Sequence, residues 1–391
     1  MITRKESTFN CQLPVDELNR EATPFYYYDM DVLRATLGAI KQETEGWPYV
    51  VQYAIKANGN PLILKEIASS GLGSDLVSGG EILAALEAGF QAQEMSYSGV
   101  GKTDREIKLG LEKEIGCFNV ESIPELEVIN QLAGEAGKTA RIAIRVNPDI
   151  DAHTHKYITT GTADNKFGIP VEALESVVNQ AIAMPNIDLR GLHFHIGSQI
   201  TTMRPYVMLC ERINQLQDDY EARGIGFDII NVGGGLGIDY THPDECPVPD
   251  FKQYFDVFKQ HLELRPNQQL HFELGRAIVG QCGTLISRVT YVKENRNKKF
   301  VILDAGMTDL IRPALYGARH EVQNLTSVED GREHYDIVGP VCESSDVFAS
   351  DCVLPVTRRG DLIAIRSAGA YGESMASRYN MRELPRSHFS H

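Results

Sequence analysis

The stretch VVQYAIKANGNPLILKEIASSG, residues 50–71, contains the pattern that decides the fold. It begins with an apolar run that is typical of a buried strand and that ends on Lys56. The small, turn-forming residues Ala-Asn-Gly-Asn follow, and from Pro61 onward apolar residues fall on one face of a helix that stops near Gly71. The stretch therefore predicts a strand, a turn and a helix, which is one unit of an α/β fold.

The same unit recurs as far as residue 276. Amphipathic helical segments separate eight β-like runs: VVQYAIK (50–56), SDLVS (74–78), EMSYS (94–98), GCFNV (116–120), RIAIRVN (141–147), RGLHFHI (190–196), DIINV (228–232) and LHFEL (270–274). Strand–helix alternation implies parallel strands with crossovers, and eight units favour a (β/α)8 TIM barrel. A doubly wound sheet is the alternative.

After residue 276 the pattern changes. Strand-like runs with turns between them replace the alternation: CGTLISRVTYVKEN (282–295), KKFVILDAG (298–306), REHYDIVGPVC (332–342) and CVLPVTRRGDLIAIRSAGAY (352–371). They predict a second, all-β domain, a β-sandwich or Greek-key barrel, to which the aromatic run TPFYYYD (23–29) could return. We expect the barrel over residues 29–276 and the β domain over 1–28 plus 277–391.

Composition narrows the function classes. The 391 residues carry a formal charge of -15, which argues against nucleic-acid binding. No apolar run is long enough to cross a bilayer, and the N-terminal residues lack the apolar core of a secretory signal. The seven cysteines are scattered without a CxxC pair, so neither a disulfide framework nor a structural zinc site is indicated. We expect a cytoplasmic protein with no membrane or nucleic-acid partner.

A TIM barrel has its active site at the C-terminal ends of its strands. Those ends carry Lys56, His193, His195, a glycine-rich turn at 233–237 and Glu273. A lone lysine at a strand end usually keeps its stem buried and its ammonium in water. The functional alternative is a desolvated amine of lowered pKa that forms a covalent carbon–nitrogen link with a carbonyl group.

Two glycine-containing segments resemble nucleotide motifs but fail them. In the turn 233–237, Ile238 stands where a dinucleotide fingerprint needs its last glycine. In the segment 99–103, Ser96 stands where an ATP-binding loop needs its first glycine. Consecutive glycines still allow backbone N–H groups to close on an anion, so the turn 233–237 is a candidate phosphate site.

His193 and His195 lie two residues apart on a strand and therefore face the same side. Such a pair could bind zinc, which makes a zinc-dependent barrel hydrolase a remote alternative. The next two strand ends, however, offer glycines and Glu273 rather than further histidine or aspartate ligands.

Glu273 is most simply interpreted as an ion-pair partner of the nearby Arg276. A second interpretation accounts for all the candidate residues at the C-terminal ends of the strands. A carboxylate opposite a reactive lysine keeps a pyridinium nitrogen protonated. Pyridoxal phosphate would use Lys56 for the covalent link, the glycine turn for the phosphate, Glu273 for the ring nitrogen and a histidine against one ring face.

These residues resemble those of the diaminopimelate decarboxylases, within the alanine-racemase-like (group IV) class of pyridoxal phosphate enzymes. The resemblance rests on eight stretches: YAIKAN (53–58), DLVSGGE (75–81), LHFHIGSQI (192–200), NVGGGLGIDY (231–240), ELGR (273–276), DAGMTDLIRPALYGARHEV (304–322), GPVCESSD (339–346) and SAGAYGESMASRYN (367–380). It covers nearly the whole chain, and it implies a barrel followed by a β domain.

The resemblance also implies roles for single residues. Lys56 holds the cofactor, His195 stacks on its ring and Glu273 contacts its nitrogen. The full implied cofactor set is Lys56, Asp75, His195, Ser198, Gly234, Gly235, Glu273, Gly275, Arg276 and Tyr371.

For the substrate, the resemblance implies that Arg276, Arg312 and Tyr316 hold the distal carboxylate, with Tyr371 nearby, and that Glu343 accepts the distal ammonium. An arginine suits a carboxylate because it donates two parallel N–H bonds.

Cys342 is implied as the catalytic proton donor, reaching the site from the second subunit of a homodimer. Its run is flanked by glycine and serine, which indicates a loop. The implied reaction converts meso-2,6-diaminopimelate to L-lysine and CO2, the last step of lysine biosynthesis. The chain departs from the usual family pattern at Leu274 and Ser345.

Three other functions stay open. A sister decarboxylase of ornithine, arginine or carboxynorspermidine would not need Arg312, which argues for a distal carboxylate. A non-catalytic pyridoxal phosphate-binding relative would lack the β domain that this sequence predicts. The zinc hydrolase is the third alternative.

Overall fold

The computed structural model describes residues 13–150 and 166–390 of the chain. The chain divides into two units. The barrel unit comprises Leu37–Gly237 and Asp250–Gly275, and the β unit comprises Met1–Thr36, Ile238–Pro249 and Arg276–His391. The expected domain boundaries near residues 29 and 276 stay a prediction, and residues 1–12 of the N-terminal segment lie outside the described residues.

The strands of the described residues are, in chain order, β1 (Phe25–Tyr28), β2 (Tyr49–Ala54), β3 (Gly73–Leu76), β4 (Met95–Tyr97), β5 (Cys117–Val120), β6 (Ala140–Asn147), β7 (Ile169–Pro170), β8 (Ile187–Phe194), β9 (Ile229–Asn231), β10 (Gln269–Leu274), β11 (Gly283–Asn295), β12 (Lys298–Leu303), β13 (Val322–Asn324), β14 (Arg332–Val338), β15 (Val347–Pro355), β16 (Leu362–Ile365) and β17 (Arg386–Phe389).

The helices are α1 (Val15–Leu18), α2 (Met30–Thr44), α3 (Pro61–Ser69), α4 (Gly79–Ala88), α5 (Asp104–Lys113), α6 (Ile123–Glu135), α7 (Val171–Ala183), α8 (Arg204–Glu221), α9 (Phe251–His261), α10 (Arg276–Val279) and α11 (Arg312–Tyr316). Among the described residues, no helix has the length and apolar character that a membrane crossing requires.

The barrel unit is a closed ring of parallel strands. Its order is β2-β3-β4-β5-β6-β8-β9-β10, and β10 pairs back onto β2, while the short β7 adds to β6. Each of the eight β-like runs of the sequence contributes one of the eight ring strands, so the TIM barrel is confirmed and the doubly wound sheet is wrong.

Helices of the barrel unit begin soon after the strands because polar caps stand there. The Asn60 side chain accepts the N–H of Leu62 at the start of α3, and Ser78 does the same for Glu81 in α4. Thr103 and Glu106 form a reciprocal capping box on α5. Such caps bind backbone donors that would otherwise have no partner, so each connection stays short.

The sequence predicted that the first barrel strand ends on Lys56, and this prediction is wrong. The strand β2 stops at Ala54, and Lys56 lies in a 3₁₀ turn over Ile55–Ala57. Ile55 and Ala57, on either side of Lys56, are buried and anchor the turn. The Lys56 side chain itself stays partly exposed.

The β unit is mostly β and forms a nearly closed barrel. Its sheet runs β13-β16-β11-β12-β14-β15, and β12 and β14 pair in parallel, whereas the other pairs of this path are antiparallel. The aromatic run Phe25–Tyr28 does return to this sheet, because it is β1 and pairs antiparallel with β11. The C-terminal residues Arg386–Phe389 form β17, which pairs with β1 in parallel.

Candidate active site

Lys56 and Asp75 come from adjacent units of the barrel. The Lys56 Nζ lies 3.3 Å from Asp75 Oδ2. The Asp75 side chain is fully buried, whereas 41% of the Lys56 side chain is exposed, so the expectation of a desolvated lysine is wrong for this structure. Burial, followed by the charge of Glu273, raises the pKa of Asp75, and Lys56 opposes that shift. The lysine amine therefore has a carboxylate on one side and solvent access on the other.

A chain of buried hydrogen bonds joins Asp75 to Glu273. Ser98 Oγ donates to Asp75 Oδ1 at 2.9 Å. Asn119 Nδ2 lies 2.9 Å from Ser98 Oγ and 3.0 Å from Glu273 Oε1. Asp75, Ser98 and Asn119 lie on, or directly behind, the successive strands β3, β4 and β5, whereas Glu273 lies on β10, which is not adjacent to them in the ring. The bonds join groups that are up to 198 positions apart in the numbering (273 minus 75).

Three N–H groups hold the carboxylate of Glu273. Asn119 and Asn231 donate to Oε1, at 3.0 and 2.8 Å, and His193 Nε2 donates to Oε2 at 3.0 Å. Burial by itself raises the pKa of Glu273, but His193 and the nearby lysine lower it, and the net pKa lies well below its ordinary value. The carboxylate is therefore held ionised inside the barrel.

The two histidines of the H-x-H pair have different hydrogen-bond partners. His193 is buried and directs Nε2 to Glu273, so it serves as a hydrogen-bond donor to a carboxylate. His195 is half-buried, and its Nδ1 accepts the backbone N–H of Gly234 at 3.2 Å. Burial, together with the charges of Arg145 and Lys56, lowers the pKa of His195, so its ring stays neutral.

The glycine turn and the loop behind β8 are joined by backbone hydrogen bonds. Ile200 N donates to Gly235 O, and Gly237 N donates to Ile200 O, each at 2.9 Å. Gly235 has φ +105°, and a Cβ there would lie 2.5 Å from Gly197 O. Only glycine fits this close approach, and Ser198 lies in the loop that these hydrogen bonds join to the glycine turn.

In the β unit, Arg276 and Tyr371 form a second cluster with Tyr240. Arg276 is buried, and its Nη1 donates to the Tyr240 hydroxyl at 2.5 Å. Its guanidinium carbon lies 4.9 Å from the centre of the Tyr371 ring, within cation–π range. Tyr371 has φ +56°, a left-handed backbone conformation that is uncommon for a tyrosine and that often marks functional sites.

Arg312 belongs to the same cluster. It opens the short helix α11, and Tyr316 lies four residues later on the same helical face. Its guanidinium carbon lies 4.7 Å from the centre of the Tyr240 ring, and its Nη1 donates to His320 Nε2 at 2.9 Å. The helix ends at Gly317, whose φ is +61°.

The positive charge of Arg312 is buried without a counter-charge in the part of the chain that the structure describes. The side chain is 5% exposed. Among the described residues, its Nε has no hydrogen-bond partner and no carboxylate forms an ion pair with it. Burial, with the charge of Arg276, lowers the pKa of Arg312. A buried cation of this kind favours an incoming anion, because the anion offsets its desolvation cost.

Cys342 and Glu343 lie on an exposed loop between β14 and β15, as their glycine and serine neighbours predicted. Glu343 Oε1 accepts the Tyr379 hydroxyl at 2.6 Å. The buried Asp346 anchors the loop, because its carboxylate accepts the N–H groups of Val341 and Met307 at 2.7 and 2.6 Å.

The two departures from the usual family pattern have different surroundings. Leu274 closes β10 and is fully buried. Ser345 is exposed, and its hydroxyl contacts the Met307 sulfur at 3.7 Å.

Sequence reasoning missed several of the contacting residues. Ser98, Asn119 and Asn231 each stand within or directly after a predicted strand, and a polar residue at that place was an available signal. Tyr240 and His320 carried no comparable signal, because neither belongs to a barrel strand. Gly234 and Gly275 appear in the structure as parts of the glycine turn and of the segment that follows β10.

The chain resembles known proteins along nearly its whole length. Residues 31–280 match the family model described as the pyridoxal binding domain of pyridoxal-dependent decarboxylases. The diaminopimelate decarboxylase of Bacteroides thetaiotaomicron is 60% identical over 378 residues, which are 96% of this chain and 98% of that relative. The chain belongs to the diaminopimelate decarboxylase family of pyridoxal-dependent enzymes.

Further relatives agree with this family. The diaminopimelate decarboxylase of Vibrio cholerae is 43% identical, over 95% of this chain and 88% of that protein. The crystal structure of the Helicobacter pylori diaminopimelate decarboxylase, complexed with L-lysine, superposes with a TM-score of 0.90 at 39% identity. That match covers 96% of this chain and 93% of the Helicobacter chain.

The side chains of the barrel unit fit the family's cofactor, pyridoxal phosphate. The glycine turn has no side chain at Gly235, where a Cβ would collide with Gly197 O, and Glu273 supplies a buried carboxylate. Lys56 supplies an amine that is open on one side. A zinc site is not seen among the described residues, where no three His, Cys, Asp or Glu side chains are grouped to hold a metal.

Proposed function

We propose that this decarboxylase acts on meso-2,6-diaminopimelate, removes one carboxylate as CO2 and releases L-lysine. The observation that carries the proposal is the buried guanidinium of Arg312, which has no carboxylate partner among the described residues. A substrate whose far end bears a carboxylate supplies that partner. Relatives of 60% and 43% identity named diaminopimelate decarboxylase support the same substrate.

Bound pyridoxal phosphate would supply a sink for the electron pair left when CO2 departs. For this chemistry we assign Lys56 as the amine that joins the cofactor and Glu273 as the carboxylate that keeps the ring nitrogen protonated. Ser198, Gly234, Gly235, Gly275 and Arg276 are the proposed phosphate contacts, with Tyr371. Asp75 contacts the Lys56 amine and would orient it, and His195, whose lowered pKa keeps it neutral, would lie against the cofactor ring.

The three N–H donors around Glu273 explain how a buried carboxylate remains ionised. An isolated carboxylate in the barrel would take up a proton, because burial disfavours its charge. Donation from His193, Asn119 and Asn231 offsets that cost. The carboxylate could still accept a protonated ring nitrogen, since each of its oxygens accepts more than one hydrogen bond.

Substrate choice follows chiefly from Arg312. Ornithine and arginine have no distal carboxylate, and their binding would leave the buried guanidinium of Arg312 without an anion from the described residues or the substrate. A site built around such a group rejects an analogue that lacks the matching group by orders of magnitude. Arg312 therefore favours diaminopimelate over the substrates of the sister decarboxylases.

We assign the final proton transfer to Cys342, acting in the site of a second subunit. Its Sγ–H proton passes to the carbon that has lost CO2, and the thiolate later regains a proton from solvent. Glu343 would accept the substrate's distal ammonium, with Tyr379 holding one of its carboxylate oxygens. The exposure of Cys342 within its own chain supports a role towards a partner subunit.

The test of the reaction is a direct assay of the cofactor-loaded protein. Lysine and CO2 are measured with meso-diaminopimelate, ornithine, arginine and carboxynorspermidine as separate substrates. We expect lysine and CO2 in equal amounts from meso-diaminopimelate and no CO2 from the other three. Release of CO2 from ornithine at a comparable rate would contradict the assigned role of Arg312.

The role of Lys56 is tested with Lys56→Ala. Loss of the covalent link should remove the visible absorbance of bound cofactor and lower activity by at least about 100-fold. The matched control is Lys65→Ala, an exposed lysine on α3, which should retain both. Full activity in Lys56→Ala would refute the assignment.

The shared-site dimer is tested by mixing two inactive variants, Lys56→Ala and Cys342→Ala. If each site uses the lysine of one subunit and the cysteine of the other, refolding the variants together restores part of the activity. Sedimentation of the wild type should give a dimer. Inactive mixtures of properly folded dimers would rule out the shared site.

A further inference from the structure

Tyr240 contacts both arginines that the proposed function assigns to the substrate carboxylate. Its hydroxyl accepts Arg276 Nη1 at 2.5 Å, and its ring lies under the Arg312 guanidinium at 4.7 Å. Its own backbone oxygen accepts the N–H of Glu321 at 3.0 Å. One side chain therefore determines where two buried cations stand relative to each other.

His320 completes the arrangement from the side of Arg312. Its Nδ1 donates to the carbonyl of Arg366 at 2.8 Å, which leaves Nε2 as the acceptor for Arg312 Nη1. Its ring meets the Tyr240 ring edge to face, with 5.0 Å between the centroids. Burial and the charge of Arg312 lower the pKa of His320 to about 3, so the acceptor stays available at neutral pH.

Each guanidinium therefore donates an N–H to a neutral protein group and has an aromatic ring against its face. Neither contact neutralises the charge, because a tyrosine and a neutral histidine bring none. Arginine side chains have many rotamers, and the precision of a bidentate carboxylate contact depends on restricting them. Neutral acceptors restrict the rotamers and leave the attraction for an anion intact.

We propose that Tyr240 and His320 are positioning residues that set the preference of this site for a ligand with a distal carboxylate. The inference rests on the proposed function and adds two residues to it. Neither residue takes part in the decarboxylation step. Their effect is on the affinity for the carboxylate, which both the substrate and the product lysine carry.

The test compares Tyr240→Phe with wild type as cofactor-loaded proteins. Phenylalanine keeps the ring against Arg312 and removes the acceptor for Arg276. Calorimetry measures binding of lysine and of cadaverine, which is lysine without its carboxylate. We expect the lysine-to-cadaverine affinity ratio to fall about 10-fold, the loss of one hydrogen bond to a charged group. The KM for meso-diaminopimelate should rise by a similar factor, with kcat little changed.

His320 is tested by a pair of variants. His320→Leu removes the acceptor and should lower the same affinity ratio about 10-fold, whereas His320→Gln offers an amide oxygen to Arg312 and an amide N–H to the Arg366 carbonyl and should recover part of it. The matched control is Tyr291→Phe, an exposed tyrosine of β11, which should retain the wild-type ratio. Thermal unfolding and the cofactor absorbance of each variant separate a loss of folding from a loss of affinity.

Two results overturn the inference in different ways. A wild type that binds lysine no more tightly than cadaverine overturns both this inference and the proposed substrate. A wild type with that preference, together with a folded Tyr240→Phe that retains the full ratio, overturns the positioning role alone.

Discussion

Glu273 in the barrel unit and Arg312 in the β unit are both buried charges, with 7% and 5% of their surfaces exposed. Their surroundings differ. Glu273 accepts three N–H donors from His193, Asn119 and Asn231, and its ionised form is stabilised by the protein. Arg312 has one neutral acceptor and an aromatic ring, and no carboxylate among the described residues pairs with it.

The difference indicates that the protein itself stabilises the charge of Glu273, whereas the charge of Arg312 gains a counter-charge when an anionic ligand binds. A charge surrounded by donors is part of a stable site that is ready for a cofactor. A charge without a counter-ion makes the empty site less stable and the occupied site more favourable, since an incoming carboxylate gains the full interaction. Substitution of Glu273 should therefore lower both stability and activity, whereas substitution of Arg312 should impair activity alone.

The largest effect is expected at Glu273. In Glu273→Gln, the ring nitrogen loses its ionised partner, and kcat should fall by about 100-fold or more. The amide also brings a donor towards groups that themselves donate, so the free energy of unfolding should fall as well. The control is Glu263→Gln, an exposed glutamate, which should match wild type in both measurements. An active and stable Glu273→Gln would contradict both the assigned role of the Glu273 charge and its stabilisation by the three donors.

Arg312→Leu should separate the two properties. Removing the guanidinium loses the contact with the substrate carboxylate, and the KM for meso-diaminopimelate should rise by about 100-fold, as for a truncated charged contact of 2–3 kcal/mol. The ligand-free protein should keep its stability or gain about 1 kcal/mol, because a buried cation without a counter-ion has been removed. If the free energy of unfolding of ligand-free Arg312→Leu fell by several kcal/mol, the inference that Arg312 has no compensating counter-charge would be contradicted.

Asn231→Ala tests the donors of Glu273 with a smaller change. It leaves one carboxylate oxygen with one donor fewer, and the free energy of unfolding should fall by about 1–3 kcal/mol. The bound-cofactor absorbance should also titrate at a shifted pH, since the carboxylate then holds its charge less firmly. Asn179→Ala, an exposed asparagine on α7, serves as the control in the same titration.

The smallest expected effect is the contribution of His320 to pH dependence. Its folded pKa of about 3 lies below the ordinary value of 6.5. Between these values the unfolded chain binds a proton that the folded chain does not, so stability falls as pH decreases from 6.5 towards 3. The contribution approaches about 1.4 kcal/mol per pH unit inside that window and is small only near neutral pH. In His320→Leu, the slope of unfolding free energy against pH should decrease by this amount, whatever the change at pH 7.

The fold followed from local patterns. The eight strand–helix units are visible because periodicity, caps and glycine stops act within a few residues, and the structure placed every one of them in the barrel. Lys56, His195, Glu273 and the glycine turn were predicted as site residues in the same way, because they are unusual residues at strand ends. The local pattern predicted the end of β2 wrongly, because the apolar run of the strand continues through Ile55 into a 3₁₀ turn.

The partners of those residues depended on the closed barrel and on the packing of the β unit. His193 remained ambiguous between a zinc ligand and a core residue until its distance to Glu273, 80 positions away, was known. Tyr240 and His320 are likewise 80 positions apart, and only the packed structure puts their rings edge to face beside Arg312. The residue types with reactive chemistry are local properties of the chain, whereas pKa shifts and charge compensation depend on contacts between distant segments.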